Sequence, residues 1–93
     1  MTSGAPDFEE IWKRIQAHER EFFQTRLGQW FTYRIDDEQL LPSHTDFRIP
    51  RRDFELAYPL LPIPTPGKLN RLVTGSSHVW AILHDSRISG GAW

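Results

Sequence analysis

The sequence predicts a single α+β domain with the element order α-β-β-β-α-α, in which helices cover one face of a three-stranded antiparallel sheet. Three observations lead to this fold class. The 93 residues are enough for one domain. Apolar residues recur at helical spacing near both ends, and an aromatic, β-branched stretch lies between them. We assign residues 1–6 to a flexible leader, 7–88 to the domain and 89–93 to a flexible tail.

The first helix is predicted over residues 7–19. Pro6 and the acidic residues that follow it favour a helix N-terminus, where the macrodipole is positive. The apolar stripe has the spacing i, i+3, i+4, i+7 and consists of Phe8, Ile11, Trp12 and Ile15. The sequence therefore predicts an amphipathic helix that buries this stripe.

The strands are predicted in the next thirty residues. Residues 21–25 and 29–35 are rich in aromatic and β-branched side chains and flank a turn at Gly28, which is typical of a hairpin. A polar turn at residues 36–38 follows. We place the third strand at residues 45–49, with two leucines at 40 and 41 leading into it.

The remaining helices are predicted in the second half. A short helix at residues 51–58 precedes a stiff, proline-rich connection. After this connection another helix begins near Thr65, buries Leu69, Leu72 and Val73, and ends at Gly75. The last helix is expected to be capped by one of the two serines at 76 and 77 and to run to about residue 85.

The composition excludes several classes of function. The chain has no cysteine, which rules out disulfides, thiol chemistry and cysteine-ligated metal sites. Its longest apolar run, residues 79–83, is too short for a membrane span, so we expect a cytoplasmic protein with no membrane partner. The net charge is −1, but residues 1–46 carry −4 and residues 47–93 carry +3. This asymmetry leaves room for an electrostatic partner.

Two sites could support chemistry or anion binding. His18, Glu19 and His78 are candidates for a small hydrolase or nuclease, since Glu19 would be partly buried if the first helix extends that far. The alternative is that this helix ends near residue 18 and leaves Glu19 solvated. Ser76, Ser77 and His78 could bind an anion at a helix N-terminus, and simple capping is the alternative. No histidine spacing indicates a metal site, and we expect no cofactor.

The exposed surfaces suggest binding. Trp30, Arg34, Arg48, Arg51 and Arg52 could form a nucleic-acid interface on the open sheet face. The alternative, which we favour, is an ordinary solvated charge cluster that pairs with Asp53 and Glu55.

The aromatic content favours a protein-interaction surface. Four tryptophans are many for so small a domain, and the helical stripe does not account for Trp30, Trp80 or Trp93. Apolar surface that a small domain cannot bury usually marks an interface. The favoured function is therefore a non-enzymatic interaction module that self-associates or docks a protein partner, with Trp30 and Trp80 among its binding residues. Nucleic acid is an alternative partner that we do not favour.

Overall fold

The computed structural model describes residues 6–93, and its first helix, α1, covers Phe8–Ala17. Asp7 caps α1, because its carboxylate accepts a hydrogen bond from the N–H of Glu10 at 3.0 Å. The chain then turns at Arg20, which has a φ of +72° and donates its N–H to the carbonyl of Tyr33. The helix predicted at residues 7–19 is therefore present but shorter, and Glu19 lies outside it.

Two small antiparallel sheets follow α1. Within residues 6–93 the strands are β1 Phe23–Gln24, β2 Trp30–Phe31, β3 Tyr33–Asp36, β4 Gln39–Pro42 and β5 Ile49–Pro50. β1 pairs with β2, and the second sheet has the order β3-β4-β5. Only Thr32 separates β2 from β3, so one extended segment passes from the first sheet into the second. The predicted α+β class and its three-stranded antiparallel sheet are confirmed, as is the hairpin around Gly28.

The predicted position of the third strand is wrong. The strand that pairs with β3 is β4, directly after the polar turn at residues 36–38, and its register places Ile35 opposite Leu40. Residues 45–48 are irregular, and β5 contributes only two residues to the sheet. Because a tight turn returns the chain at once, the two leucines at 40 and 41 belong to the strand itself rather than to a lead-in.

The helix expected between Thr65 and Gly75 is also wrong. After α2, Arg51–Ala57, a 3₁₀ turn covers Tyr58–Leu60 and a second one covers Pro66–Leu69. Residues 70–75 are turns, and Leu72 is 43 % exposed. The N–H of Thr74 is held by the buried carboxylate of Asp53 at 2.8 Å, which takes the place of an intrahelical acceptor.

The last two helices are α3, Ser76–Leu83, and α4, Ser86–Ser89. α3 ends earlier than predicted, and the single turn of α4, which Asp85 caps by accepting the N–H of Arg87, was not predicted. The predicted tail begins at Ser89, which is buried in α4. It ends at Trp93, whose indole N–H donates to the carbonyl of Leu83 at 2.7 Å. Residues 1–5 of the predicted leader lie outside the described residues.

One hydrophobic core joins all of these elements. Every helix and both sheets contribute to it; examples are Trp12, Phe23, Leu40, Phe54, Ile82 and Ile88. The phenol of Tyr33, which is buried among them, donates to the carbonyl of Ile15 at 2.7 Å. Burial raises the pKa of Tyr33. In the described part of the chain, no helix has the length and apolarity needed to cross a bilayer.

Candidate functional site

The structure divides the predicted nucleic-acid residues among separate places, and two of the arginines share one groove. Arg34 and Arg48 line this groove together with Arg20, which the sequence had not singled out. We call it the basic groove; its volume is about 490 Å³. Its other lining residues come from the link between β2 and β3, from β3 and β4, and from the loop after β4; they are Thr32, Tyr33, Leu41, Pro42, Ser43, Thr45, Asp46 and Phe47.

Arg51 belongs to a different environment. Its guanidinium forms ion pairs with Glu9 of α1 and Glu38 of the β3–β4 turn. It also lies over the rings of Phe8 and Trp12, at 5.4 and 5.8 Å from their centroids. Hydrogen bonding to Glu9 raises the pKa of Arg51. These contacts tie α2 to α1, and they are a structural reason for an arginine here. Its neighbour Arg52 is exposed and does not line the basic groove.

Trp30 and Trp80 line a second groove, of about 350 Å³, between the hairpin and α3. Trp80 is half-buried, because its indole N–H donates to the carbonyl of Ile63 at 2.8 Å and its ring stacks on His84 at 4.5 Å. The ring of His84 accepts the N–H of Ile63 through Nε2 at 3.0 Å. These two aromatic residues therefore hold the proline-rich connection against α3.

The β1–β2 hairpin carries the most exposed large apolar side chains in the described part of the chain. Leu27 at its turn is 92 % exposed, Phe22 is 65 % exposed and Trp30 is 59 % exposed. Phe23 and Phe31 face the core, so their neighbours at 22 and 30 project from the outer face of the hairpin. We call Phe22, Leu27 and Trp30 the hairpin patch.

The predicted anion site at Ser76, Ser77 and His78 is placed at the start of α3. The serines do not cap the helix, because its N-cap is Gly75 at a φ of +65° and makes no side-chain cap bond. The Ser76 hydroxyl donates instead to the side-chain oxygen of Asn70. Both serines line a pocket of about 310 Å³ that also includes Arg26.

His78 and both serines line another pocket, of about 350 Å³, and the ring of His78 has aromatic surroundings there. Its ring makes edge contacts with Phe31 and Phe47, at centroid distances of 4.7 and 5.6 Å. Burial lowers the pKa of His78, and its Nδ1 has no hydrogen-bond partner among residues 6–93. The neutral ring therefore behaves as part of the apolar packing between the hairpin and the loop before β5.

The other two catalytic candidates have structural partners. His18 pairs through Nδ1 with Glu21 at 2.9 Å, and this contact lowers the pKa of Glu21. Glu19 is half-buried, and its Oε1 accepts the N–H of Ile35 at 2.8 Å. Within the described chain no hydrogen bond joins any two of His18, Glu19 and His78. The helix ends before Glu19, as the alternative predicts, but Glu19 is half-buried rather than solvated.

Sequence analysis did not single out Arg87, which makes several hydrogen bonds and ion pairs in the structure. It bonds to Asp85 and Glu21 and to the carbonyl of Phe22, and its guanidinium lies 3.8 Å from the centroid of Phe23. It also lines the groove of Trp30 and Trp80. No local signal distinguishes it, because these partners lie more than sixty positions away, except for Asp85.

Comparison with known proteins gives no family assignment. No family model, curated protein or solved structure matches this chain. Among residues 6–93 no group of three or more histidine and carboxylate side chains is arranged to hold a metal ion.

Proposed function

We propose that this chain is a protein-interaction module that self-associates through the hairpin patch. The observation that supports the proposal is the concentration of exposed apolar side chains on one hairpin, namely Phe22, Leu27 and Trp30. Single exposed apolar residues are normal on a folded protein, but several on one element usually mark a binding surface.

The size of the patch favours a weak contact. From the exposed fractions of the three side chains, the patch presents roughly 400 Å² of apolar surface. A stable interface buries about 800 Å² on each partner, and apolar residues form its centre. The hairpin patch is thus large enough to be the centre of an interface. We expect an affinity in the micromolar range or weaker.

The charge of the patch favours a second copy as its partner. None of its three side chains is charged, so the patch itself brings no like charges together when two copies meet, although Arg26 beside Leu27 is exposed. The nearest acidic residue in sequence, Glu21, is already paired with His18 and Arg87. A two-fold symmetric pair would place the same patch on both sides of the contact, which is the commonest arrangement among homo-oligomers.

Sedimentation velocity over a range of protein concentrations tests the proposal. The weight-average sedimentation coefficient should rise between about 1 µM and about 1 mM in the wild type. Leu27→Asp should keep the monomer value throughout, because it places an unpaired charge in the contact. Leu72→Asp is the matched control, since Leu72 is another exposed leucine outside the patch. A wild type that stays monomeric, or equal effects of the two variants, would contradict self-association through the hairpin.

A further inference from the structure

The basic groove holds arginines that the fold does not neutralise. Arg20 and Arg34 form no ion pair with any described residue, and Arg48 bonds only to the neutral amide of Gln39, at 3.0 Å. This separates them from Arg51 and from the other paired arginines, whose partners are carboxylates. One acid, Asp46, also lines the groove. The side chains lining it therefore sum to a charge of +2.

The paired strands β3 and β4 form one part of the wall of the groove. Arg34 lies on β3 opposite Leu41 of β4, and the ladder continues where the N–H of Ser43 donates to the carbonyl of Thr32 at 2.8 Å. The Ser43 hydroxyl accepts the N–H of Thr32 at 2.9 Å. Its own proton is donated to no described residue and can serve a ligand.

Arg20 occupies a backbone conformation that does not suit an arginine. Its φ of +72° lies in the left-handed region, where glycine or asparagine is favoured. Its N–H donates to the carbonyl of Tyr33 at 2.8 Å, which holds the residue beside β3. Local structure therefore favours a smaller residue at this position, and the arginine side chain calls for another explanation. Strained residues of this kind concentrate at binding sites.

We propose that the basic groove binds a small molecule that carries a phosphate group and a ring. Arg20, Arg34 and Arg48 would hold the phosphate, because guanidinium groups match its oxygens in a bidentate manner. A phosphomonoester carries a charge of about −1.5 to −2 at pH 7, which balances the groove's charge better than one carboxylate could. The ring would lie against Phe47, which is 37 % exposed and lines the same groove.

The dimensions and surroundings of the groove favour a small molecule over a nucleic-acid strand. Its volume of about 490 Å³ lies within the usual range for small-ligand sites. A longer polyanion would have to continue past the acidic turn at residues 36–38, just beyond Arg34 on the same strand. All three residues of that turn are exposed, and its two aspartates would repel phosphates.

Isothermal titration calorimetry with adenosine 5′-monophosphate, adenosine and inorganic phosphate tests this proposal. The monophosphate should bind, phosphate should bind more weakly and adenosine should show no measurable heat. Arg34→Ala should weaken binding of the monophosphate about tenfold, because it removes a charge-assisted contact. Arg71→Ala is the control, since Arg71 is exposed and lies outside the groove; it should bind as the wild type does.

Arg20→Gly separates a binding role from a structural one. The substitution suits the left-handed backbone, so the melting temperature should stay equal or rise while binding weakens about tenfold. This variant also decides the matter if Arg34→Ala fails to fold. Lack of binding of the monophosphate to the wild type, or equal binding in the wild type and Arg20→Gly, would overturn the proposal. So would binding of a ten-nucleotide deoxythymidine strand without binding of the monophosphate.

Discussion

Replacing Arg87 is expected to loosen the β1–β2 hairpin, because this one guanidinium joins α4 to it. Arg87 bonds to both carboxylate oxygens of Asp85, at 2.8 and 2.9 Å, and donates to the carbonyl of Phe22 at 2.8 Å. It pairs with Glu21 at 3.1 Å and lies over the buried ring of Phe23. Hydrogen bonding to Arg87 lowers the pKa of Asp85, which agrees with a firmly held pair.

The magnitude follows from the separate contacts. The bond to the Phe22 carbonyl has a charged donor and contributes about 1.5 kcal/mol, and the cation–π contact with Phe23 contributes about 1 kcal/mol. The ion pairs with Asp85 and Glu21 are partly solvated, so each adds at most about 0.5 kcal/mol. We expect Arg87→Ala to lower the free energy of unfolding by about 2.5–3.5 kcal/mol. Arg87→Lys should lose about 1–2 kcal/mol, because lysine keeps the charge but not the planar fork.

Urea unfolding at pH 7, followed by tryptophan fluorescence and by far-ultraviolet circular dichroism, measures this loss. Arg71→Lys serves as the control, because Arg71 is exposed and has no ion pair among the described residues. It should unfold as the wild type does. If Arg87→Lys and the wild type agree within about 0.5 kcal/mol, the planar contacts of the guanidinium do not stabilise the fold and the reasoning is refuted.

Three further substitutions test the local structure. Glu19→Ala should lower the free energy of unfolding by about 1–2 kcal/mol, because it leaves the N–H of Ile35 unpaired, whereas Glu19→Gln keeps an acceptor and should lose less; equal losses would contradict this. Burial lowers the pKa of His78 from its ordinary 6.5, so the unfolded chain binds the proton first. The contribution of His78 to the free energy of unfolding should therefore be constant above pH 6.5. As the pH falls below 6.5 it should decrease, by at most about 1.4 kcal/mol per pH unit, until the pH passes the pKa of the folded state. His78→Asn should abolish that step in a pH series of urea titrations, and an unchanged acid limb would argue against it. Gly75→Ala would place a Cβ within 2.8 Å of two side chains and should lower the free energy of unfolding, measured by thermal melting, by about 1–3 kcal/mol. Gly91→Ala meets no atom within 4 Å and should lower it less. Similar losses in the two variants would mean that the positive φ of both glycines, and not the close contacts at Gly75, causes the effect.

Elements with a strong local signal could be predicted from the sequence. The stripe of α1 repeats at helical spacing, and Asp7 caps it as an acidic residue at a helix start should. α2 follows from the same spacing and from Pro59, which ends it. β4 could not be predicted, because it is four residues long and includes Pro42. It is a strand only because Tyr33 and Ile35 of β3 provide partners across the turn.

The misassigned helix before Gly75 shows how a distant partner overrides a local pattern. Leu69, Leu72 and Val73 fit a helical spacing, yet Leu69 alone is fully buried. A carboxylate of α2, Asp53, competes for the N–H of Thr74 and ends the turn there. A sequence pattern contains the spacing of the leucines but not the position of that carboxylate, so it predicts an α-helix where the structure has a 3₁₀ turn followed by irregular turns.

The candidate site was predictable only in part, for the same reason. Arg34 and Arg48 were singled out together with Arg51, because the last two are neighbours along the chain. In space Arg48 lies in the basic groove, whereas Arg51 points to α1 and its acids. Arg20 joins the groove from the end of α1, through a backbone turn that the sequence does not indicate.

The charge asymmetry of the sequence acquires a definite meaning once the ion pairs are known. Arg51 and Arg87, from the positive half, pair with Glu9, Glu38 and Glu21 of the negative half. The opposite halves therefore neutralise one another within the molecule, and their charges hold α2 and α4 against the N-terminal half. Several arginines have no ion pair among the described residues, and three of them line the basic groove. An electrostatic partner is thus expected at that groove rather than along a charged half of the chain, and its affinity should fall as salt concentration rises.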